Sequence, residues 1–215
     1  SGCVLEFDGG KIQKGTVNLN NCYLSGNPKI YCECKGNYKN ECLNPRWFGA
    51  VGDFDKTKSF PLSSLYSTLA EAHMSYPFAV SLNDELDYCG IQTALDLMKS
   101  VASGLLYIPQ GRYKINQELL CKVGGPRIIG ETKGQIGFKE HGTILQWTGS
   151  AGTIDEPKYI LKMYTTKNDG TYDSDTTYKY RHRPIVSQIG FHGKSGAVET
   201  ASGWVLDYVS GVFTS

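Results

Sequence analysis

Apolar residues along this chain fall mostly in short runs, and turn residues break each run before it grows long. The opening runs are Val4-Leu5-Glu6-Phe7, Gly15-Thr16-Val17-Asn18-Leu19, Cys22-Tyr23-Leu24 and Lys29-Ile30-Tyr31-Cys32, separated by Gly-Gly, Asn-Asn and Gly-Asn-Pro. Runs of this kind bounded by turn residues predict strands. No strict repeat length emerges, so residues 1–45 read as a strand-rich lead-in of shallow coils. Further strands are predicted at Leu105–Ile108, Arg112–Ile115, Arg127–Ile129, Thr143–Trp147, Tyr159–Met163, Ile185–Phe191 and Trp204–Val209. Thr143-Ile144-Leu145-Gln146-Trp147 alternates poorly, as strands covered on both faces do. The polar, Tyr-rich stretch Thr165–Pro184 predicts a long loop.

Two segments carry helical patterns instead. Thr68 followed by Glu71 is a capping-box spacing, which starts a short helix near Thr68 and stops it before Pro77. A longer helix is expected over Asp84–Ser103, with Ser81 as its cap, Asp84 and Glu85 in its first turn and Gly104 ending it. Ile91, Leu95, Met98 and Ala102 recur on one face, so this helix lies against something apolar.

Composition agrees with many short strands. The 215 residues include 25 Gly and 14 Tyr, with only 20% charged. A net charge of +1 without a long basic run gives no footprint for nucleic acid. No apolar run approaches the roughly 18–20 residues that cross a bilayer. The seven cysteines (3, 22, 32, 34, 42, 89 and 121) are odd in number and irregularly spaced, which argues against a full disulfide framework. Cys32 and Cys34 share a strand face; buried thiols are the expectation, with a disulfide or a zinc site as the alternatives.

Three phrases stand in fixed order: Arg46-Trp47-Phe48-Gly49-Ala50-Val51-Gly52-Asp53, Ile91-Gln92-Thr93-Ala94-Leu95-Asp96, and Leu105-Leu106-Tyr107-Ile108-Pro109-Gln110-Gly111-Arg112-Tyr113-Lys114-Ile115. They read as an aromatic-anchored turn, a helix and two strands hinged at Pro-x-Gly, with Trp47 and Phe48 buried where lead-in meets body. Together, over roughly residues 44–149, they resemble the opening of the pectate-lyase superfamily, found in phage tailspikes, tail fibres and polysaccharide-cleaving enzymes. The resemblance implies a mainly β fold: an incomplete right-handed parallel β-helix over residues 46–215, with the Asp84–Ser103 helix capping its N-terminal end. About 30 residues separate Gly52-Asp53 from that helix, a longer version similar to phage tail proteins.

Candidate chemistry is sparse. Glycoside hydrolysis needs two facing carboxylates, and a lyase needs a base with a cation or donor beside it. Asp84, Glu85 and Asp87 cluster, but a helix start explains them as capping, solvated groups, and Asp53 reads as a turn residue bonding backbone amides. The stretch Asn168–Asp175 echoes a calcium loop without its ligand order and reads as a solvated loop. Tyr172, Tyr178, Tyr180, Arg181 and His182 combine aromatic faces with donors, a mixture suited to glycan contact or to a protein interface. His73, His141, His182 and His192 lack metal spacing, and His192 is expected exposed at a strand end. No catalytic residue, metal or cofactor is assigned.

The resemblance implies the N-terminal part of a phage tailspike or tail fibre that engages bacterial surface polysaccharide. It implies a homotrimer joined to other phage tail proteins in the virion and folded in the host cytoplasm, without nucleic acid or membrane insertion. The alternatives are a secreted or cell-surface polysaccharide-degrading enzyme and a tail scaffold without a ligand. The strand-like run Trp204–Phe213 has no terminal cap, so more coils or a partner are expected there, and any depolymerase site is expected beyond Ser215.

Overall fold

A computed structural model describes residues 3–36, 38–98, 104–122, 126–132, 141–153, 158–164, 185–193, 201–207 and 213–214. The chain is mainly β, and every pairing between its named strands is parallel. The lead-in holds β1 (Cys3–Phe7), β2 (Ile12–Asn18), β3 (Cys22–Gly26), β4 (Ile30–Lys35) and β5 (Cys42–Leu43). β1 pairs with β3 and β2 with β4, so the chain alternates between two ladders.

This alternation is a repeat that the sequence reading missed. Cys3 lies opposite Cys22, 19 residues along the chain, and Leu5 opposite Leu24. Ile12 lies opposite Ile30, and Leu19 and Tyr38 are buried near the ends of successive turns. A register shift between Gln13 and Thr16 blurs the period, and most β2 side chains face water, so few apolar positions carry it. Asn40 completes the edge of β3: its amide donates to the Leu24 carbonyl and accepts from the Leu24 N–H, both at 2.8 Å.

The body contributes β6 (Leu105–Ile108), β7 (Gly111–Ile115), β8 (Leu119–Cys121), β9 (Arg127–Gly130), β10 (Thr143–Trp147) and β11 (Lys158–Tyr164). It continues with β12 (Ile185–Ser187), β13 (Ile189–His192), β14 (Ala201–Asp207) and β15 (Phe213–Thr214). These form three open sheets, in the orders β5-β6-β9-β12-β15, β7-β10-β13 and β8-β11-β14. From β6 to β14 the chain visits the three in rotation. The single strand expected over Ile185–Phe191 is therefore two, because Gln188 takes a left-handed conformation (φ 58°) and turns the chain from one sheet to the next. Leu106, Ile108, Tyr113, Ile115, Leu119, Leu145, Trp147 and Leu161 fill the core between sheets.

The first helix, α1, spans Leu69–His73, where the capping signal puts it. Thr68 Oγ1 accepts from Glu71 N–H at 3.1 Å, while the Glu71 carboxylate reaches back to Ser67 N–H. The second, α2, spans Leu86–Met98: Asp84 and Glu85, expected in its first turn, precede it, Glu85 bridging to Pro61, and residues 99–103 of the expected Asp84–Ser103 helix lie outside the described residues. Ser81 is not its cap: the Ser81 hydroxyl accepts from Asn83 N–H. The entering turn is satisfied from elsewhere, Glu85 N–H donating to the Asn116 side chain and Leu86 N–H to the Phe60 carbonyl. Nor is α2 amphipathic in its setting, since all its residues but Asp96 are buried. A helix enclosed on all sides belongs to the core. Gly90 lets it cross the 45–50 segment closely, because a Cβ there would lie 2.5 Å from Ala50 N. In the 3₁₀ turn Pro45–Phe48, Phe48 is fully buried, while Trp47 is half-buried and packs on the core from outside.

One expectation about cysteine is corrected. Cys3 and Cys22 form a disulfide, with Cα atoms 4.7 Å apart. The other five keep their thiols, with Cys32, Cys89 and Cys121 buried. The pair is joined because strand register places the two residues face to face, which sequence spacing alone does not reveal.

Candidate functional site

The first and third phrases and α2 clasp one another at the leading edge of the body. Arg46 donates to the Gln110 carbonyl at 2.8 Å, tying the aromatic turn to the Pro-x-Gly corner. Asp87 Oδ1 accepts from Val51 N–H at 2.6 Å and Gly52 N–H at 2.9 Å, and its Oδ2 accepts from Lys114 N–H at 2.8 Å. One turn and a half later on α2, Gln92 donates to the Leu120 carbonyl and accepts from Leu120 N–H. Strand β5 pairs with β6, Asp87 with β7 and Gln92 with β8, so a partner meets the leading edge of each sheet. Unpaired main-chain groups buried there would each cost about 1–3 kcal/mol.

The carboxylate cluster is thus structural, and it is not solvated as the sequence reading held. Asp84, Glu85 and Asp87 are all buried. Asp84 accepts from Val80 and Ser81 N–H and from the Gln117 amide. Glu85 accepts from the Ser59 hydroxyl and Phe60 N–H. Burial pushes Asp87 up to about 6 against three backbone amides that pull it down. Every oxygen of the three has a donor within the protein, which is the arrangement of a brace and not of an acid–base pair. Asp53 accepts from Asp55 N–H at 2.9 Å, the turn role expected of it.

A different set of side chains converges on the β7-β10-β13 sheet. Tyr113 and Ile115 point into the core, so alternation sends Arg112 and Lys114 to the opposite face. Lys114, Gln146 and His192 stand in register on the three strands. Across this ladder Arg112 donates to Gln146 Oε1 at 2.7 Å and lies 3.5 Å from His192 Nδ1. A guanidinium only donates, so a hydrogen bond at this contact requires Nδ1 as the acceptor. Arg112 is 1% exposed and Lys114 6%, and the Lys114 ammonium bonds the Lys56 carbonyl at 3.2 Å. Gln146 and His192 are half-buried, so they present the ladder's accessible polar atoms, held in place by Arg112. His192 is at a strand end, as expected, but it is half-buried. The period-two pairing of cations in Arg112-Tyr113-Lys114-Ile115 was the available signal for this site, and strand register supplied the rest.

The contact candidates Tyr172, Tyr178, Tyr180, Arg181 and His182, and the Asn168–Asp175 loop, lie outside the described residues. Among the described residues no group of three or more His, Cys, Asp or Glu is placed to hold a metal ion, and no helix is long and apolar enough to cross a membrane.

No protein-family model matches this sequence, and no curated protein matches it. Solved structures similar to part of it include the tailspike protein gp49 from Pseudomonas phage LKA1. That likeness has 32% identity and a TM-score of 0.43, over 57% of this chain and 17% of that one. The tailspike gp61 of Pseudomonas phage phi297 is 24% identical, with a TM-score of 0.44 over 58% of this chain and 18% of that one. The chain spans less than a fifth of either tailspike, and its structural neighbours are phage tailspike proteins.

Proposed function

We propose that residues 46–215 are the first coils of a right-handed parallel β-helix of the pectate-lyase superfamily kind, with α2 as its N-terminal cap and residues 1–45 as a lead-in. In this reading the chain is the N-terminal part of a phage tailspike or tail fibre. It sits in a homotrimer on the virion with other tail proteins, and the whole protein attaches to bacterial surface polysaccharide. The clasp at the leading edge carries the reading. Asp87, Gln92 and β5 each complete one sheet of a three-sheet parallel stack, and a stack sealed at one end is built to grow from the other. Rotation of the chain through three parallel sheets supports the same geometry, since parallel crossovers are overwhelmingly right-handed.

Glycan contact is assigned to the half-buried Gln146 and His192 and, from sequence, to Tyr172, Tyr178, Tyr180, Arg181 and His182. Rings stack on sugar faces while amide and imidazole groups bond hydroxyls. The test is binding of fluorescently labelled capsule or lipopolysaccharide from a panel of host strains to the full chain. Saturable binding to some strains, weakened by Tyr178→Ala with Tyr180→Ala, is expected. Failure on every strain while the intact parent protein binds would move recognition elsewhere and leave this chain as a scaffold.

A further inference from the structure

We propose that the Cys3–Cys22 disulfide is a redox-operated latch that closes β1 onto β3 in an oxidising environment and lets it open in a reducing one. Little else holds β1. Among the described residues it pairs with β3 alone. Cys3, Val4 and Glu6 are exposed, Phe7 alone is fully buried, and the half-buried Leu5 packs against the core from outside. The strand that follows across Asp8-Gly9-Gly10 is also largely exposed, so β1 gains little from its neighbour in sequence. The bond crosses the first register pair of the ladder, at the end of β1 farthest from Phe7. A cross-link there leaves β1 nowhere to open to.

The chemistry is thiol–disulfide exchange with a small disulfide such as oxidised glutathione. The exposed Cys3, as its thiolate, attacks one sulfur of the reagent, forms a mixed disulfide and releases one small thiolate. Cys22 then attacks the Cys3 sulfur, the mixed bond breaks, and the second small thiolate leaves. Two protein thiols are oxidised, one reagent disulfide is reduced to two thiols, and the protons lost by the cysteines end on them. Excess thiol reverses both steps. Cys32, Cys89 and Cys121 are buried and Cys34 and Cys42 half-buried, so Cys3 is the most exposed of the seven, and it has Cys22 in register to close the exchange. When the latch opens, Cys22–Gly26 loses its outer partner. The main-chain edge it then presents is one that another extended segment can pair with.

Hydrogen exchange followed by mass spectrometry on the full 215-residue chain tests this, with the protein held in oxidised glutathione or in excess dithiothreitol. Closing a loop of this length disfavours opening by about a hundredfold. Amides of Val4–Phe7 are therefore expected to exchange about a hundredfold faster when reduced, with β6 to β8 unchanged. Cys3→Ser should behave as reduced in both buffers, and Cys42→Ser should respond like the parent chain. Equal exchange of Val4–Phe7 in both buffers would overturn the latch. So would an intact mass showing seven thiols after oxidation, or a bond joining another pair. The parent-chain comparison stands even if the Cys3→Ser variant folds poorly.

Discussion

Asp87 is where a single residue bears most on the fold. Its folded-state pKa is raised to about 6, above the usual 3.8, because burial outweighs its three amide partners. The folded protein therefore holds the Asp87 proton more tightly than the unfolded chain does. Between about pH 4 and pH 6 this group makes stability fall as pH rises, by at most about 2–3 kcal/mol, and the cost persists above pH 6. Urea unfolding from pH 4 to 7.5 should show this slope in the parent protein and lose it in Asp87→Asn. Identical slopes in the two proteins would mean that Asp87 does not titrate in that range. The variant should also be less stable at neutral pH, because an amide nitrogen cannot accept from both ends of the clasp. The turn role of Asp53 was legible in the sequence, since an Asx turn is local. The brace role of Asp87 was not, since its partners lie 27 to 36 residues away.

At the scale of elements, α2 does two things: it fills the end of the core and it terminates two sheets. Ile91→Ala or Leu95→Ala, each at a position 1% exposed, should leave a cavity costing about 2–4 kcal/mol in denaturant unfolding. Gln92→Leu keeps the bulk but orphans the Leu120 N–H and C=O, and is expected to cost about 1–3 kcal/mol. If Gln92→Leu proves neutral, water reaches β8 and the helix is only a plug. The position of α2 was legible from its apolar recurrence and acidic start. Its complete enclosure was not, because its polar residues Asp87, Gln92 and Thr93 all bond main chain. Thr93 returns its hydroxyl to the Cys89 carbonyl within the helix, while Asp87 and Gln92 reach other elements.

For the whole molecule, the proposal of a trimeric tailspike part yields two measurable expectations. The isolated chain should release neither reducing ends nor unsaturated sugar from bacterial capsule. The basis is that the clustered carboxylates Asp84, Glu85 and Asp87 are already occupied by internal donors. Robust cleavage would place an acid–base pair elsewhere in these 215 residues. In the intact particle the parent protein should have a threefold mass, since three open sheets leave edges that further coils and neighbouring copies can cover. A monomer in the virion would refute the assembly.

The sequence alone determined where most strands lie, where the first helix starts, that a second helix follows it, and which corners need Gly or Pro. Those features follow from period-two alternation, caps and turn residues, all set within a few positions. Tertiary structure alone decided which strands are neighbours. With that came the lead-in period, the Cys3–Cys22 bond, the split of Ile185–His192 at Gln188, and the Arg112–Gln146–His192 ladder. The physical reason is that parallel pairing joins residues many positions apart through loops of unequal length. Register is then fixed by what packs across the core, and no local pattern encodes it. A buried carboxylate that satisfies distant amides reads in sequence just like one that caps a helix in water.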